Sequence, residues 1–185
     1  MEIPEIVAAQ REYFYSGATR SYEFRRDALL TLQCAVRENE SRIADAMRQD
    51  LNKSAFESYL CETGLVLDEG RFHLKHLKRW MQPTRVHTPL AQFPSRSFVS
   101  PEPYGVALIM SPWNYPVQLC LEPLIGAISA GNCAVVKPSA YAPATSRVTA
   151  ELLGEIFPPE YVAAIEGGRA ENSTLLEQRF DYIFF

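Results

Sequence analysis

The stretch "GVALIM", residues 105 to 110, constrains the fold more than any other. It is apolar throughout with no polar alternation, the mark of a strand covered on both faces. "VQLCLEPLIGAISAGN" follows with helical spacing, and its Gly131 and Asn132 stand where a C-terminal cap belongs. "CAVVK" reads as the next strand, "APATSRVTAELLGEIF" as the next helix, and "VAAIEGG" as a third strand ending in a glycine turn. "AENSTLLEQRF" is a short helix and "YIFF" a fourth strand. Strands alternating with helices at this pitch specify an α/β fold with a parallel, doubly wound sheet.

Upstream, the texture differs. Residues 20 to 51 read as one long amphipathic helix, with Phe24, Ala28, Leu32 and Val36 on a face that Ile43, Met47 and Leu51 continue. A second helix begins at "SAFE", where Ser54 and Glu57 have capping-box spacing. In it Leu60, Leu67, Leu74 and Met81 recur every seven residues, and Pro83 ends it. From Thr84 the proline-rich "TRVHTPLAQFPSRSFVSPEP" gives one or two exposed strands, an arm without an obvious partner in the chain. The expected divisions are therefore 1–83, helical; 84–104, a strand-forming arm; and 105–185, the βαβ part. The chain stops on "DYIFF", and a buried strand normally leads into a further covering helix, so a longer protein is expected.

Composition narrows the function. A chain of 185 residues with 47% hydrophobic residues builds a real core without staples. A net charge of −4 and the lack of a basic cluster argue against nucleic acid. No apolar run approaches the roughly 20 residues of a membrane span, and no signal-peptide core appears, so a cytoplasmic protein is expected. Cys34, Cys61, Cys120 and Cys133 have neither CxxC nor metal-ligand spacing and read as reduced, buried thiols.

Ligands of open α/β sheets bind beyond the carboxyl ends of the strands. Three such ends carry unusual residues: "SPWNYP" at 111–116, "KPSA" at 137–140, and Gly167 and Gly168. Asn114 offers amide donors that suit an oxyanion, although the pattern alone favours it as the N-cap of the following helix. Trp113 reads as a wall residue and Lys137, by itself, as a solvated lysine. The glycines admit either a cofactor against the backbone or a tight turn. Neither GxGxxG nor a P-loop is present. His73 and His76 lie on one helix face without a third metal ligand in view, and Cys120 and Cys133 fall in core patterns, so no metal site and no nucleophile can be nominated.

In order along the chain, "DLNKSAFESYLCETG", "EPYGVALIMSPWNYP", "GAISAGNCAVVKPS", "EGG" and "RFDYIFF" resemble the aldehyde dehydrogenase superfamily, most closely its class 3 type. "PWNYP" followed by "AGNxxxxKPS" is specific, and the resemblance covers essentially all 185 residues but only the front of the family's sequence. It implies a cofactor-binding domain for NAD or NADP, an aldehyde substrate and a homodimer of the full-length protein. It implies that Asn114 is the side-chain donor of the oxyanion hole. Trp113 and Tyr115 would line the substrate, and Ser111, Pro112, Trp113, Lys137, Ser139, Ala140, Gly167 and Gly168 the cofactor cleft. Family members oxidise aldehydes through a cysteine thiohemiacetal and thioester, with the cysteine and a general-base glutamate downstream of Phe185, so this chain by itself is expected to be inactive. The family often has glutamate where Ala140 stands, and that carboxylate binds the adenosine ribose, which leaves the choice of cofactor open. Two other functions remain: an acyl reductase of the same superfamily, and a non-catalytic interaction or regulatory module of 185 residues.

Overall fold

The computed structural model describes residues 1–185. Its centre is a parallel sheet built from β3 (Val106–Met110), β4 (Cys133–Lys137), β5 (Val162–Ala164) and β6 (Tyr182–Phe184), in the order β5-β4-β3-β6. Each link passes through a helix: α6 (Gln118–Ala130), α7 (Pro143–Ile156) and α8 (Arg169–Leu176). The doubly wound reading from the sequence is the fold observed.

The uniform apolarity of the strands has a direct structural cause. Leu108, Val135 and Ala163 lie in register across β3, β4 and β5. They pack against Ile6 and Val7 of α1 (Ile3–Tyr15) and Leu175 of α8. Their neighbours Ala107, Ile109, Ala134, Val136 and Val162 join the larger cluster with α6, α7 and the N-terminal helices. Successive strand residues point to opposite faces, so a sheet covered twice needs an unbroken apolar run. Gln10 ties α1 down, its Nε2 donating to the carbonyls of Ala134 and Pro159 at 2.9 and 3.0 Å.

Two helical expectations are corrected. The long helix is two, α2 (Tyr22–Glu38) and α3 (Glu40–Leu51), broken at Asn39. Both the backbone N–H and the side-chain Nδ2 of Asn39 donate to the Ala35 carbonyl, at 3.0 and 2.9 Å. An amide side chain competing for helical carbonyls ends the run locally. The second helix begins where Ser54 caps it, Oγ accepting from the Glu57 N–H at 3.1 Å. It runs as α4 (Ala55–Ser58), a π-turn (Tyr59–Thr63) and α5 (Gly64–Trp80). The π-turn adds one residue to the helical repeat and rotates everything before it by roughly 100°. Leu67 is therefore buried while Leu60, seven residues earlier, is exposed, and Ser58, Glu62 and Thr63 face inward instead.

The arm is exposed, as expected, and only its lack of a partner in the chain is corrected. Its strands β1 (Thr84–Val86) and β2 (Ser97–Val99) pair antiparallel with each other, with Arg85 opposite Phe98. The hairpin projects Leu90, Phe93, Phe98 and Val99 into solvent. No helix is long and apolar enough to cross a membrane.

Candidate functional site

The strand order sets where a site belongs. From β3 the chain winds one way through β4 to β5, then returns to place β6 on the other side of β3. The switch point lies between β3 and β6, and in open α/β sheets the crevice at the carboxyl ends beside that point is the ligand position. A cavity of about 530 Å³ occupies this edge. Ser111, Pro112 and Trp113 enter it from the end of β3. Lys137, Ser139 and Ala140 enter from the end of β4, and Gly168 follows β5. Phe185, after β6, and Arg169 and Asn172 of α8 add to the wall, as do Met110, Pro138 and Tyr141; the sequence reading had missed all of these. Asn114, Tyr115 and Gly167 stand beside the cavity and do not line it.

Lys137 is not solvated. It is 3% exposed, and its Nζ donates to the carbonyls of Pro138 and Gly167 at 2.8 and 2.7 Å. Burial lowers its pKa, opposed by the nearby Glu171, Cys120 and Glu166. An ammonium has three donors, so one remains for a ligand in the cavity. An extended polar side chain at the end of an apolar strand was the available signal, and the lysine stereotype hid it.

The loop after β5 is shaped around the same cation. Gly167 has φ 136°, a conformation that side chains rarely adopt. Its carbonyl faces Lys137, and the next N–H, of Gly168, donates to Glu171 Oε2 at 2.6 Å. Bonds from its own N–H and from that of Gly168 hold the Glu171 carboxyl below the usual range, and Lys137 adds to this.

Asn114 is not the cap of α6. That helix starts four residues later, with Val117 at the N-cap position and no side-chain bond from it. The cap comes instead from Glu62 in the π-turn, whose Oε2 accepts from the N–H groups of Val117 and Gln118 at 2.8 and 3.3 Å. Lys53 pairs with the other oxygen of Glu62 at 2.5 Å and donates to the Asn114 carbonyl at 3.0 Å. The same Nζ lies 4.5 Å from the centre of the Tyr115 ring. The Asn114 side chain is exposed and takes part in no hydrogen bond of this chain.

The remaining candidates separate by environment. Only Cys120 and Cys133 are buried, and burial pushes both thiols up to about 12; Cys34 is exposed and Cys61 half-buried, so the expectation of four buried thiols is corrected. Neither buried thiol is a thiolate at neutral pH. His73 bridges Ser129 Oγ at 2.6 Å and Glu69 Oε1 at 2.9 Å, a Ser–His–Glu line. Ser129 sits in the last turn of α6, where unpaired carbonyls rather than N–H groups are presented. An oxyanion finds no backbone donor there, so the line clamps α5 to α6. His76 bonds the Phe72 carbonyl and stacks on Trp80.

A doubly wound parallel sheet with three strand ends and a buried cation around one crevice defines a Rossmann-like α/β domain. The aldehyde dehydrogenase family model matches residues 1–185, and the chain belongs to that family. It is 43% identical over 175 residues to the 4,4'-diaponeurosporen-aldehyde dehydrogenase of Staphylococcus aureus, covering 95% of this chain and 38% of the relative. It is 45% identical over 175 residues to aldehyde dehydrogenase family 3 member B1 of Rattus norvegicus, covering 95% of this chain and 37% of the relative. A Staphylococcus aureus AldH solved in a substrate-bound state superposes with a TM-score of 0.97 at 41% identity, covering 100% of this chain and 40% of that one. The chain thus spans well under half the length of these relatives.

Proposed function

We propose that this chain forms the cofactor-binding front of an NAD(P)-dependent aldehyde dehydrogenase that oxidises aldehydes to carboxylic acids. The observation that carries this is the cavity at the switch point with the Lys137 ammonium buried at its edge. The residues present fit a nucleotide: a cation with a spare donor, Ser139 beside it, and Gly168 without a side chain. A nicotinamide cofactor held there would accept hydride from the substrate carbon. Lys137 and Ser139 hold its ribose, and Ser111, Pro112 and Ala140 shape the cleft around it. A solved betaine aldehyde dehydrogenase from Staphylococcus aureus, in complex with NAD+, has the same fold at 24% identity and a TM-score of 0.77.

Asn114 acts as an oxyanion donor. Its amide is exposed with no partner in this chain, and Lys53 fixes its backbone carbonyl, which leaves the donor free for an oxyanion on a loop of set position. Trp113 and Tyr115 flank the aldehyde. The nucleophilic cysteine belongs to a part of the enzyme beyond this chain, since Cys120 and Cys133 are buried and protonated and neither Cys34 nor Cys61 lines the cavity. The exposed apolar residues of the arm suit a homodimer contact, because a lone two-stranded hairpin is barely stable. A cytoplasmic enzyme is the compartment proposed.

The test is direct. The complete enzyme is expected to reduce NAD or NADP with a panel of aldehydes, and Lys137→Met to weaken cofactor binding at least tenfold, the loss of one charged hydrogen-bond donor. The 185-residue chain alone is expected to give no turnover. Turnover by the chain that disappears in Cys120→Ala or Cys133→Ala would sink the assignment.

A further inference from the structure

We infer that Lys53 and Glu62 are a positioning couple that sets the Asn114 loop for catalysis, an inference that rests on the proposed oxyanion role of Asn114. Three observations carry it.

The couple grips the loop on both sides of its working residues. Glu62 is 0% exposed and divides its oxygens, one receiving the Val117 and Gln118 N–H groups and the other Lys53. Lys53 then reaches the Asn114 carbonyl and the Tyr115 ring. The backbone between Asn114 and Gln118 is thus held by one charge pair, while the Asn114 amide stays free. A helix cap alone needs no lysine contact to the loop. A local Ser, Asp or Asn at position 117 would have supplied it.

Glu62 reaches this place only because of the π-turn. The extra residue turns the Ser58, Glu62 and Thr63 side of the helix inward, where an unbroken helix would have brought Leu60. Gly64 makes the turn possible. Its N–H donates to the Tyr59 carbonyl, and a Cβ there would stand 2.7 Å from that oxygen. Such one-turn π insertions gather at functional sites.

The turn also carries polar groups inward, with Ser58 Oγ and Thr63 Oγ1 buried beside Glu62 and unpartnered among the protein atoms. A helix face that turns a carboxylate and two hydroxyls inward, where leucine would pack better, fits a positioning role better than a packing role.

The experiment uses the complete enzyme. Lys53→Met/Glu62→Gln removes both charges together and keeps an acceptor for the Val117 N–H, so Tm is expected within a few degrees of wild type, as when buried pairs are replaced jointly. Because misplacing a reacting group by about 1 Å can cost 10²-fold, kcat is expected to fall about tenfold with KM for the cofactor unchanged. Hydrogen exchange at the amides of residues 113–115, 117 and 118 is expected to quicken. Lys53→Arg, which keeps the charge and the donors, is expected to recover most of kcat. Wild-type kcat with wild-type exchange in the double variant overturns the inference, and so does a loss of kcat that merely follows Tm across the series. Asn114→Ala is the control: if it keeps wild-type kcat, the oxyanion reading has failed, and exchange at those amides alone decides whether the couple holds the loop. Should the double variant not fold, Lys53→Met takes its place, read as kcat per folded molecule with the same exchange, and unchanged values overturn the inference.

Discussion

Two loops at the same sheet edge are pinned by the same pair of residue types in opposite ways. After β5, Glu171 sits three residues beyond Gly168 and closes the start of its own helix, with Lys137 holding the preceding carbonyl. After β3, the corresponding carboxylate comes from Glu62, fifty-five residues before Val117, and its lysine from yet another segment. The first loop carries its carboxylate with it and takes only its lysine from β4. The second depends on the N-terminal helices being folded and docked before Asn114 has any fixed place. The residue proposed to do chemistry is therefore the one held from a distance.

That contrast can be broken by substitution in the complete enzyme. The largest effect is expected at Asn114 itself: Asn114→Ala should lower kcat by roughly 10²- to 10³-fold, the usual result of deleting one oxyanion donor, with cofactor affinity unchanged. Steady-state kinetics with separate cofactor titrations check it. A near-normal kcat with a badly destabilised fold would return Asn114 to a structural role.

Next comes stability. Glu62→Ala leaves the Lys53 ammonium without its partner and two N–H groups of α6 uncapped, so a loss of about 3–5 kcal/mol is expected. Glu171→Ala should lower Tm much less, since its carboxylate is half-exposed and water replaces it. Thermal unfolding of both variants compares the distant and the local support directly. Equal losses would erase the distinction between the loops.

A smaller change is expected from Ala140→Glu in the cavity-lining loop after β4. A carboxylate there accepts hydrogen bonds from ribose hydroxyls and repels a 2′-phosphate, so the ratio of NADP to NAD affinity should fall roughly tenfold. Wild-type protein is expected to accept NADP as readily as NAD, with Lys137 as the nearby cation. Titration with both cofactors decides it; an unchanged strong preference for NAD places the discrimination elsewhere.

The smallest effect is in acid. The Glu171 carboxyl is held below its ordinary value of 4.5. A depressed carboxylate stabilises the fold above the unfolded value and loses that contribution as pH falls from there through its lower native value. Wild type and Glu171→Gln should therefore differ most in Tm near neutrality and converge as the pH drops below 4.5. A gap that persists in strong acid would mean that packing, not charge, holds the turn.

The same contrast explains what could be read before any coordinates. β3, β4 and the caps at Ser54 and Gly131 are local patterns, and each lies where the sequence places it. The Glu171 cap was legible in principle from its three-residue spacing, but a glycine stands where the usual signal has Ser or Thr. Glu62 was not legible. In a helical stretch a lone glutamate reads as a solvated charge, and the π-turn that turns it inward breaks the period used to assign faces. Lys137 was misjudged for the same reason, because one of the two carbonyls that hold the cation lies thirty residues away. Asn39 hid its helix break inside an apolar face that continues on both sides.

Gln10 adds a constraint in time. Its side chain bonds the Pro159 carbonyl, 149 residues further along, and Ile6 and Val7 are buried against Leu108, Val135, Ala163 and Leu175, all made much later. On a ribosome adding about 5–20 residues per second, the first helix emerges and then waits on the order of ten seconds for the sheet that it will cover. During that interval its apolar stripe is open to any other nascent chain or chaperone. The back of the finished sheet is thus closed in part by a helix made well before the strands that it covers.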